Sequence, residues 1–352
     1  MQQIRIPFHP SLRNNAELRS YYASRRVLVV GGDGFMGVNL LSVLRYLGAD
    51  ASRISRSGNG NAGEGRLFQG DLRDEEMVTA AVASQSVIFD MAGVAGAVDS
   101  NRNANLSLDE DLRAQLTLLT ACAKLERPPQ IVFPSSRLVY GRPQYLPVDE
   151  SHPLAPQSIY AAHKIAVENY LSVFAQHSEL SYTVIRLSNP YGPFQARGNR
   201  SYGVINHFLQ AAACGDPIHI YGDGRQKRDY IHIEDVIAAF LLCPLREAAR
   251  NRVFNLGGRA PISLAEVAEI ISEAAGGTPI HYVPWPADDK AVETGDYASD
   301  LTRINESLEL PAQIDLVPGL GETLRMYRQE ANADAMEGLP AGSAVLRKVA
   351  NL

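Results

Sequence analysis

Residues 27–37 read VLVVGGDGFMG: a short apolar run that breaks into glycines Gly31, Gly34 and Gly37 at three-residue spacing and then enters a segment of helical periodicity. A strand, a glycine turn and a helix in that order make a corner where missing side chains let backbone approach a pyrophosphate. The helix start adds unpaired N–H groups and partial positive charge. A glycine triplet alone is weak evidence; its place between strand and helix is what predicts dinucleotide binding. The spacing is GxxGxxG rather than GxGxxG.

Outward from this corner the chain alternates. FMGVNLLSVLRYLG has helical spacing and DASRISRS reads as a second strand. The rhythm continues through SVIFDMAG, DLRAQLTLLTACAK, QIVFPSS, SIYAAHKIAVENYLSVFAQ and YTVIRLS. Strand and helix at this pitch predict an α/β fold, a Rossmann-type doubly wound parallel sheet covered on both faces. After Pro190 the rhythm changes: residues 191–232 are richer in Gly, Pro and Tyr, IEDVIAAFLL and RVFNLGG return to core character, and SLAEVAEIISEAAG is a helix among polar loops. The expected organisation is a polar leader over 1–24, with a short helix around 16–22, and a dinucleotide-binding domain over 25–190 plus 233–258. A smaller C-terminal substrate-binding lobe over 191–232 plus 259–330 and a weakly patterned tail over 331–352 complete it. No internal repeat is visible.

Composition narrows the class. The chain has 352 residues, 45% of them hydrophobic, enough for a full core. A net charge of −6 supplies no global basic field, so neither nucleic acid nor an acidic membrane is an expected partner. Cys122, Cys214 and Cys243 show no CxxC spacing and the eight histidines no HExxH pattern, so no metal site or disulfide framework is expected and the cysteines read as small core residues. The N-terminus has no apolar signal segment and no run of about 18 apolar residues occurs, which makes the cytoplasm the expected location.

Two clusters carry chemistry. Where a Rossmann strand that selects NAD commonly ends on an acidic residue, the second strand here ends on Ser55 and Arg56; a small hydroxyl beside a guanidinium suits a 2′-phosphate, so NADP is favoured and NAD remains possible. Asp71 and Leu72, after a short third strand, suit adenine, although an Asp there could equally cap the next helix. Phe35 and Met36 at the helix start and Met91, Ala92 and Gly93 after the fourth strand complete the expected cofactor contacts. The second cluster is Tyr160 and Lys164, at i and i+4 on one helix face, with Ser135 and Ser136 ending the strand upstream. An ammonium one turn away is expected to favour phenolate, so that Tyr160 exchanges a proton with a substrate alcohol while a serine hydroxyl holds the reacting oxygen.

Taken in order, VLVVGGDGFMG, GDLRD, SSRLVYG, YAAHK, RLSNPYGP, IYGDGRQKRDYIHIEDV and VFNLGG resemble the extended short-chain dehydrogenase/reductase family, in its branch of NAD(P)-dependent nucleotide-sugar epimerases, dehydratases and ketoreductases; the likeness covers about residues 26–330. The resemblance implies Tyr160 as acid/base, Lys164 holding the nicotinamide ribose and Ser136 aligning the substrate oxygen. It also implies Ser188 near the nicotinamide, Asn189 touching substrate and Arg228 meeting the substrate diphosphate. Departures narrow the reaction. The Asp-Glu pair of the dehydratases is here Arg137 and Leu138, which disfavours dehydration. With Ser55 and Arg56, this leans toward NADPH-dependent reduction of a 4-keto sugar, with a 4-epimerase as the alternative. Glu293 stands where a second diphosphate arginine is expected, and Asp90 and Asp111 also depart from the commoner residues without a reason visible in the sequence. A silent cofactor-sensing protein on the same scaffold is the competing class; it usually lacks the tyrosine or lysine, both of which stand here. Apolar residues on helices near 108–125 and 160–176 imply, by the same resemblance, a homodimer.

Overall fold

Seven parallel strands run through the centre of the molecule. The computed structural model describes residues 8–56, 65–93, 96–196 and 203–337, without the side chains of 334–337. Its strands are β1 (Arg26–Val30), β2 (Asp50–Ser55), β3 (Leu67–Gln69), β4 (Val87–Asp90), β5 (Gln130–Ser136), β6 (Ser181–Leu187), β7 (Asn189–Tyr191), β8 (Ile218–Tyr221), β9 (Lys227–His232), β10 (Arg252–Leu256), β11 (Pro261–Ser263) and β12 (Ile280–Val283). The main sheet has the order β10-β6-β5-β4-β1-β2-β3 and every pairing in it is parallel. Strand order reverses between β1 and β4, and a crevice at the carboxyl ends of such a pair is where an open α/β sheet takes its ligands.

Side-chain alternation divides the core between the two faces. Val27, Val29, Phe89, Val132 and Ile185 pack with the helices Phe35–Tyr46 and Ile233–Leu242, whereas Leu28, Val30, Ile88, Ile131 and Val184 pack with Glu75–Val82, Ala114–Ala123 and Ile159–His177. Both faces are dry, which explains the nearly continuous apolar character of the strands. The sequence reading starts the fold at Arg25, but the structure brings the preceding residues into the first core. The helix Ala16–Tyr22, capped by Asn15, buries Leu18 and Tyr22, and the Tyr22 hydroxyl donates to Leu241 O at 2.9 Å. Phe8 and Leu12 join the same cluster.

A second, smaller core forms beside the sheet. β11, β9 and β7 make a three-stranded sheet and β12 pairs with β8; Phe208, Leu209, Val267, Ile271 and Leu324 close over them from helices Val204–Cys214, Leu264–Ala274 and Leu316–Glu337. Helix Leu264–Ala274 begins at a reciprocal capping box, Ser263 with Glu266. The expected tail over 331–352 lies partly outside the described residues; up to Glu337 it continues the last helix. Cys122 and Cys243 are buried as expected of core residues, but Cys214 is exposed. Among the described residues no helix is long and apolar enough to cross a membrane.

Candidate functional site

The glycine corner is built as its spacing requires. Gly31 has φ +73°, and a Cβ there would lie 3.0 Å from Met91 and Ala92 backbone. A Cβ on Gly37 would lie 2.4 Å from Gly31 O and 2.7 Å from Gly32 Cα, so only glycine lets helix Phe35–Tyr46 sit flush on the turn. Gly34 is the N-cap and provides no side-chain acceptor, which leaves the first N–H groups of the helix, those of Phe35, Met36 and Gly37, free of intrahelical partners. A cavity of about 310 Å³ opens beside this corner; Gly31 and Gly34, Ser55 and Arg56, Asp71 and Leu72, and Met91, Ala92 and Gly93 all line it. Residues from four strand ends, expected separately from the sequence, thus meet in one cleft.

The polar end of the cleft differs from the sequence reading. Ser55 donates a very short hydrogen bond to Asp33 Oδ2, and Asp33 Oδ1 lies 3.2 Å from Arg53 Nε. Arg53 is buried, and Arg56 pairs with Glu110 at 3.0 Å. An acidic residue therefore does stand at the end of β2, but it arrives from the glycine turn. Asp71 accepts from Arg73 N at 2.9 Å and from its Nε and Nη2 at 2.8 Å, which holds its carboxyl down to about 2; the capping role falls to Asp74, which accepts from Met77 N.

Tyr160 and Lys164 sit at the start of helix Ile159–His177. Three of its leading N–H groups are satisfied by side chains, Ile159 N by Asn101, Tyr160 N by Ser100 and Ala161 N by the N-cap Ser158, so the first turn is tied to the helix Ala97–Arg102. Ser136 Oγ accepts from Leu138 N at 3.2 Å and lies near enough to the Tyr160 hydroxyl to favour its ionised form. Ser135 points to the other face of β5 and donates to Glu168, so only one of the two serines expected at the reacting oxygen is there. Lys164 Nζ donates to Pro134 O at 2.9 Å and lies 5.7 Å from the Tyr160 ring centroid. A smaller cavity lined by Tyr160, Lys164, Asp111, Gln115 and His163 shares Ala92 with the main cleft.

The electrostatics correct the expectation of an acidic phenol. Tyr160 is half-buried; burial pushes its pKa up to about 12, with Ser136 opposing and the Asp111 carboxylate adding to the rise. The Lys164 ammonium is spent on a carbonyl and on three carboxylates: burial draws its pKa down, and Asp90, Asp111 and Glu168 oppose that. The two unexplained aspartates thus acquire a place. Asp90 is buried at the end of β4, accepts from Gln115 Nε2 at 3.2 Å and is raised to about 6 by burial. Asp111 is turned inward by a π-helical segment, Leu108–Arg113, accepts from Ser107 Oγ at 2.7 Å and lies 3.7 Å from His163 Nδ1.

The expected substrate residues lie across the boundary with the smaller core, outside the lining of the main cleft. Ser188 Oγ and Asn189 Nδ2 both donate to Asp229 O, at 2.9 and 3.3 Å. Arg228 is buried and paired with Glu293, so the carboxylate that stands where a second arginine is expected instead neutralises the first. Arg137 reaches the next residue, donating from Nη1 to Thr294 Oγ1 at 2.9 Å.

A model of the NAD dependent epimerase/dehydratase family matches residues 27–257, from the first strand of the sheet to its last. The chain belongs to that family. Among proteins similar to it is the low-salt glycan biosynthesis protein Agl12 of Haloferax volcanii, 32% identical over 295 residues that cover 79% of this chain and 90% of that one. The solved UDP-glucose 4-epimerase of Thermotoga maritima with UDP-glucose superposes with a TM-score of 0.79 at 26% identity, covering 86% of this chain and 99% of that one. The Thermus thermophilus UDP-glucose 4-epimerase with NAD gives 0.76 at 27%, with the same coverage. Membership of the epimerase/dehydratase family makes this chain an enzyme of nucleotide-sugar chemistry using NAD(P).

Beyond the family motifs, the sequence reading missed Asp33, Glu110, Gln115 and His163 at the two cavities. Asp33 carried a signal, since it lies inside the glycine turn; Glu110 and Gln115 come from a helical stretch whose π turn shifts its phase, and His163 lies beside Lys164 in YAAHK, where the spacing marks only the tyrosine and the lysine.

Proposed function

We propose that this chain is an NAD-dependent nucleotide-sugar 4-epimerase. The observation that carries the reading is the Asp33 carboxylate held against Ser55 at the end of β2, with Arg53 paired to Asp33 and Arg56 paired to Glu110. A 2′-phosphate placed there would meet carboxylates, and the nearby guanidiniums already have partners; ribose hydroxyls would donate to the same carboxylates. NAD retained through a redox-neutral cycle suits an epimerase, and the likeness to the two UDP-glucose 4-epimerases supports this. Arg137 and Leu138 lack the acid/base groups that eliminating water would need. NADPH-dependent reduction of a 4-keto sugar is the second reading, favoured by the exposed Arg56 guanidinium at the cleft.

The residues fit the dinucleotide: the Gly31 and Gly37 backbones leave a cradle that a Cβ would fill, and the open helix N-terminus suits a pyrophosphate. When bound in oxidised form, the cofactor supplies hydride acceptance and return, and a positive charge that draws a neighbouring phenol's pKa down. Tyr160 would take the proton from the sugar hydroxyl and give it back to that same oxygen, inversion arising because hydride returns to the opposite face of the carbon that bears it. Ser136, beside Tyr160, would align that oxygen, and Lys164 would hold the nicotinamide ribose. Arg228 meets the diphosphate once Glu293 releases it.

Mass spectrometry of the nucleotide released on denaturing freshly purified protein tests this, together with interconversion of UDP-glucose and UDP-galactose without added cofactor. NAD and interconversion are expected; an empty protein that oxidises NADPH stoichiometrically with a 4-keto sugar moves the assignment to the second reading. Replacing Asp33 with asparagine is expected to raise the NADP-to-NAD affinity ratio by about tenfold, the worth of ~1.4 kcal/mol, read from titrations with each cofactor. Asp111→Asn removes a charge that holds Tyr160 up, so the limb of kcat/KM that rises as the phenol deprotonates is expected to move to lower pH by roughly one unit. An unmoved limb counts against that coupling. We also infer a homodimer, supported by Leu108, Leu116 and Val173, which are exposed on the segments expected to pair.

A further inference from the structure

Arg137 has no part in the reaction just described, yet it follows directly on Ser136 and is 9% exposed. Among the described residues its side chain makes one hydrogen bond, to Thr294 Oγ1, and no ion pair; its guanidinium lies 5.2 Å from the Tyr297 ring centroid. An arginine carries five N–H donors, and a buried cation normally has a carboxylate against it. None of the Arg137 nitrogens is both sealed from solvent and unpaired, so its spare donors keep some contact with solvent. Burial first, and then the field of Arg228, draw its pKa down to about 10 while Tyr297 and, from beyond ion-pair distance, Asp229 and Glu293 oppose them, which leaves it charged at neutral pH. Across from it Glu293, beside Thr294 in the chain, occupies Arg228. Two buried guanidiniums therefore converge here, and only one of them has a carboxylate in contact.

We propose that Arg137 is a specificity-determining residue that binds a carboxylate carried by the sugar, so that the preferred substrate is a nucleotide sugar with an acidic hexose. This rests on the nucleotide-sugar reading above. Arg228 serves the diphosphate in that reading, whereas Arg137 is one residue from the serine that aligns the reacting oxygen, which places its anion at the sugar ring. A carboxylate matches the guanidinium fork with two parallel hydrogen bonds, and a hydroxymethyl group does not.

Calorimetric titration of the purified, cofactor-retaining protein with glucuronate and glucose sugars, each as UDP and dTDP derivatives, tests the assignment. The wild type is expected to bind the glucuronate at least tenfold more tightly than the glucose form, and Arg137→Met to lower that ratio at least tenfold. Arg137→Lys, which keeps charge but not the fork, should fall between them. Thermal melts and retained cofactor verify that each variant is folded, with the lysine variant serving if the methionine variant is not. Equal affinity for both sugars in the wild type, or equal losses in the variants, overturns the carboxylate assignment and places the guanidinium on the diphosphate or in a structural role. Failure of the wild type to bind any of the four nucleotide sugars sinks the underlying reading as well.

Discussion

Replacing Tyr160 with phenylalanine is expected to lower kcat by roughly two to four orders of magnitude, the usual worth of a positioned acid/base group, while the cofactor stays bound. The reason for the split is geometric. The ring keeps its place in the first turn of helix Ile159–His177, which is fixed by Ser100, Asn101 and Ser158 through backbone N–H groups that the substitution leaves intact. Lys164 also keeps its bond to Pro134 O. Only the hydroxyl and its link to Ser136 disappear. Steady-state rates alongside the amount of nucleotide released on denaturation check both halves. A rate within a few-fold of wild type would refute the role of the phenol, and a loss of bound cofactor would show that the substitution disturbs the cleft instead.

Arg186→Met is expected to destabilise the fold by about 3–5 kcal/mol, because it strands a buried carboxylate. Arg186 Nη2 lies 2.7 Å from Glu168 Oε2, its Nη1 donates to the Tyr140 hydroxyl at 2.9 Å, and Tyr140 donates to Asn255 Oδ1 at 2.6 Å; Ser135 completes the set on Glu168. One connected network thus spans β5, β6, β10 and the helix that carries Tyr160. Adding Glu168→Gln to Arg186→Met should recover part of the loss, since the orphaned charge is then gone. Urea unfolding of both variants measures this. A single variant within 1 kcal/mol of wild type would mean that the pair contributes little.

Legibility followed the range of the interactions. The glycine corner, the alternation of strand and helix, and Tyr160 with Lys164 are local patterns, set within a few residues by dihedral freedom or helical pitch, and the structure assembles them as their spacing implies. The helices Val204–Cys214 and Leu316–Glu337 went unread, the first in a glycine- and tyrosine-rich stretch, the second because Pro318, Gly319 and Gly321 interrupt its early turns. Charge was the least legible property. The phenol's high pKa depends on burial and on Asp111, 49 positions away in the chain, and the pairing of Arg228 with Glu293 depends on how β9 meets a distant loop. Spacing along a helix shows which groups are neighbours, but not which neighbour a cation prefers.

The position of β10 has a consequence for synthesis. It pairs with β6 from Thr183 to Leu187, yet residues 188–251 must leave the ribosome first. At about 5–20 residues per second, β6 waits roughly 3–13 seconds with one row of backbone donors and acceptors open. That β-rich segment, SYTVIRL, is then an open edge of the nascent sheet, so a premature stop within this interval leaves a fragment with an unpaired β-rich strand.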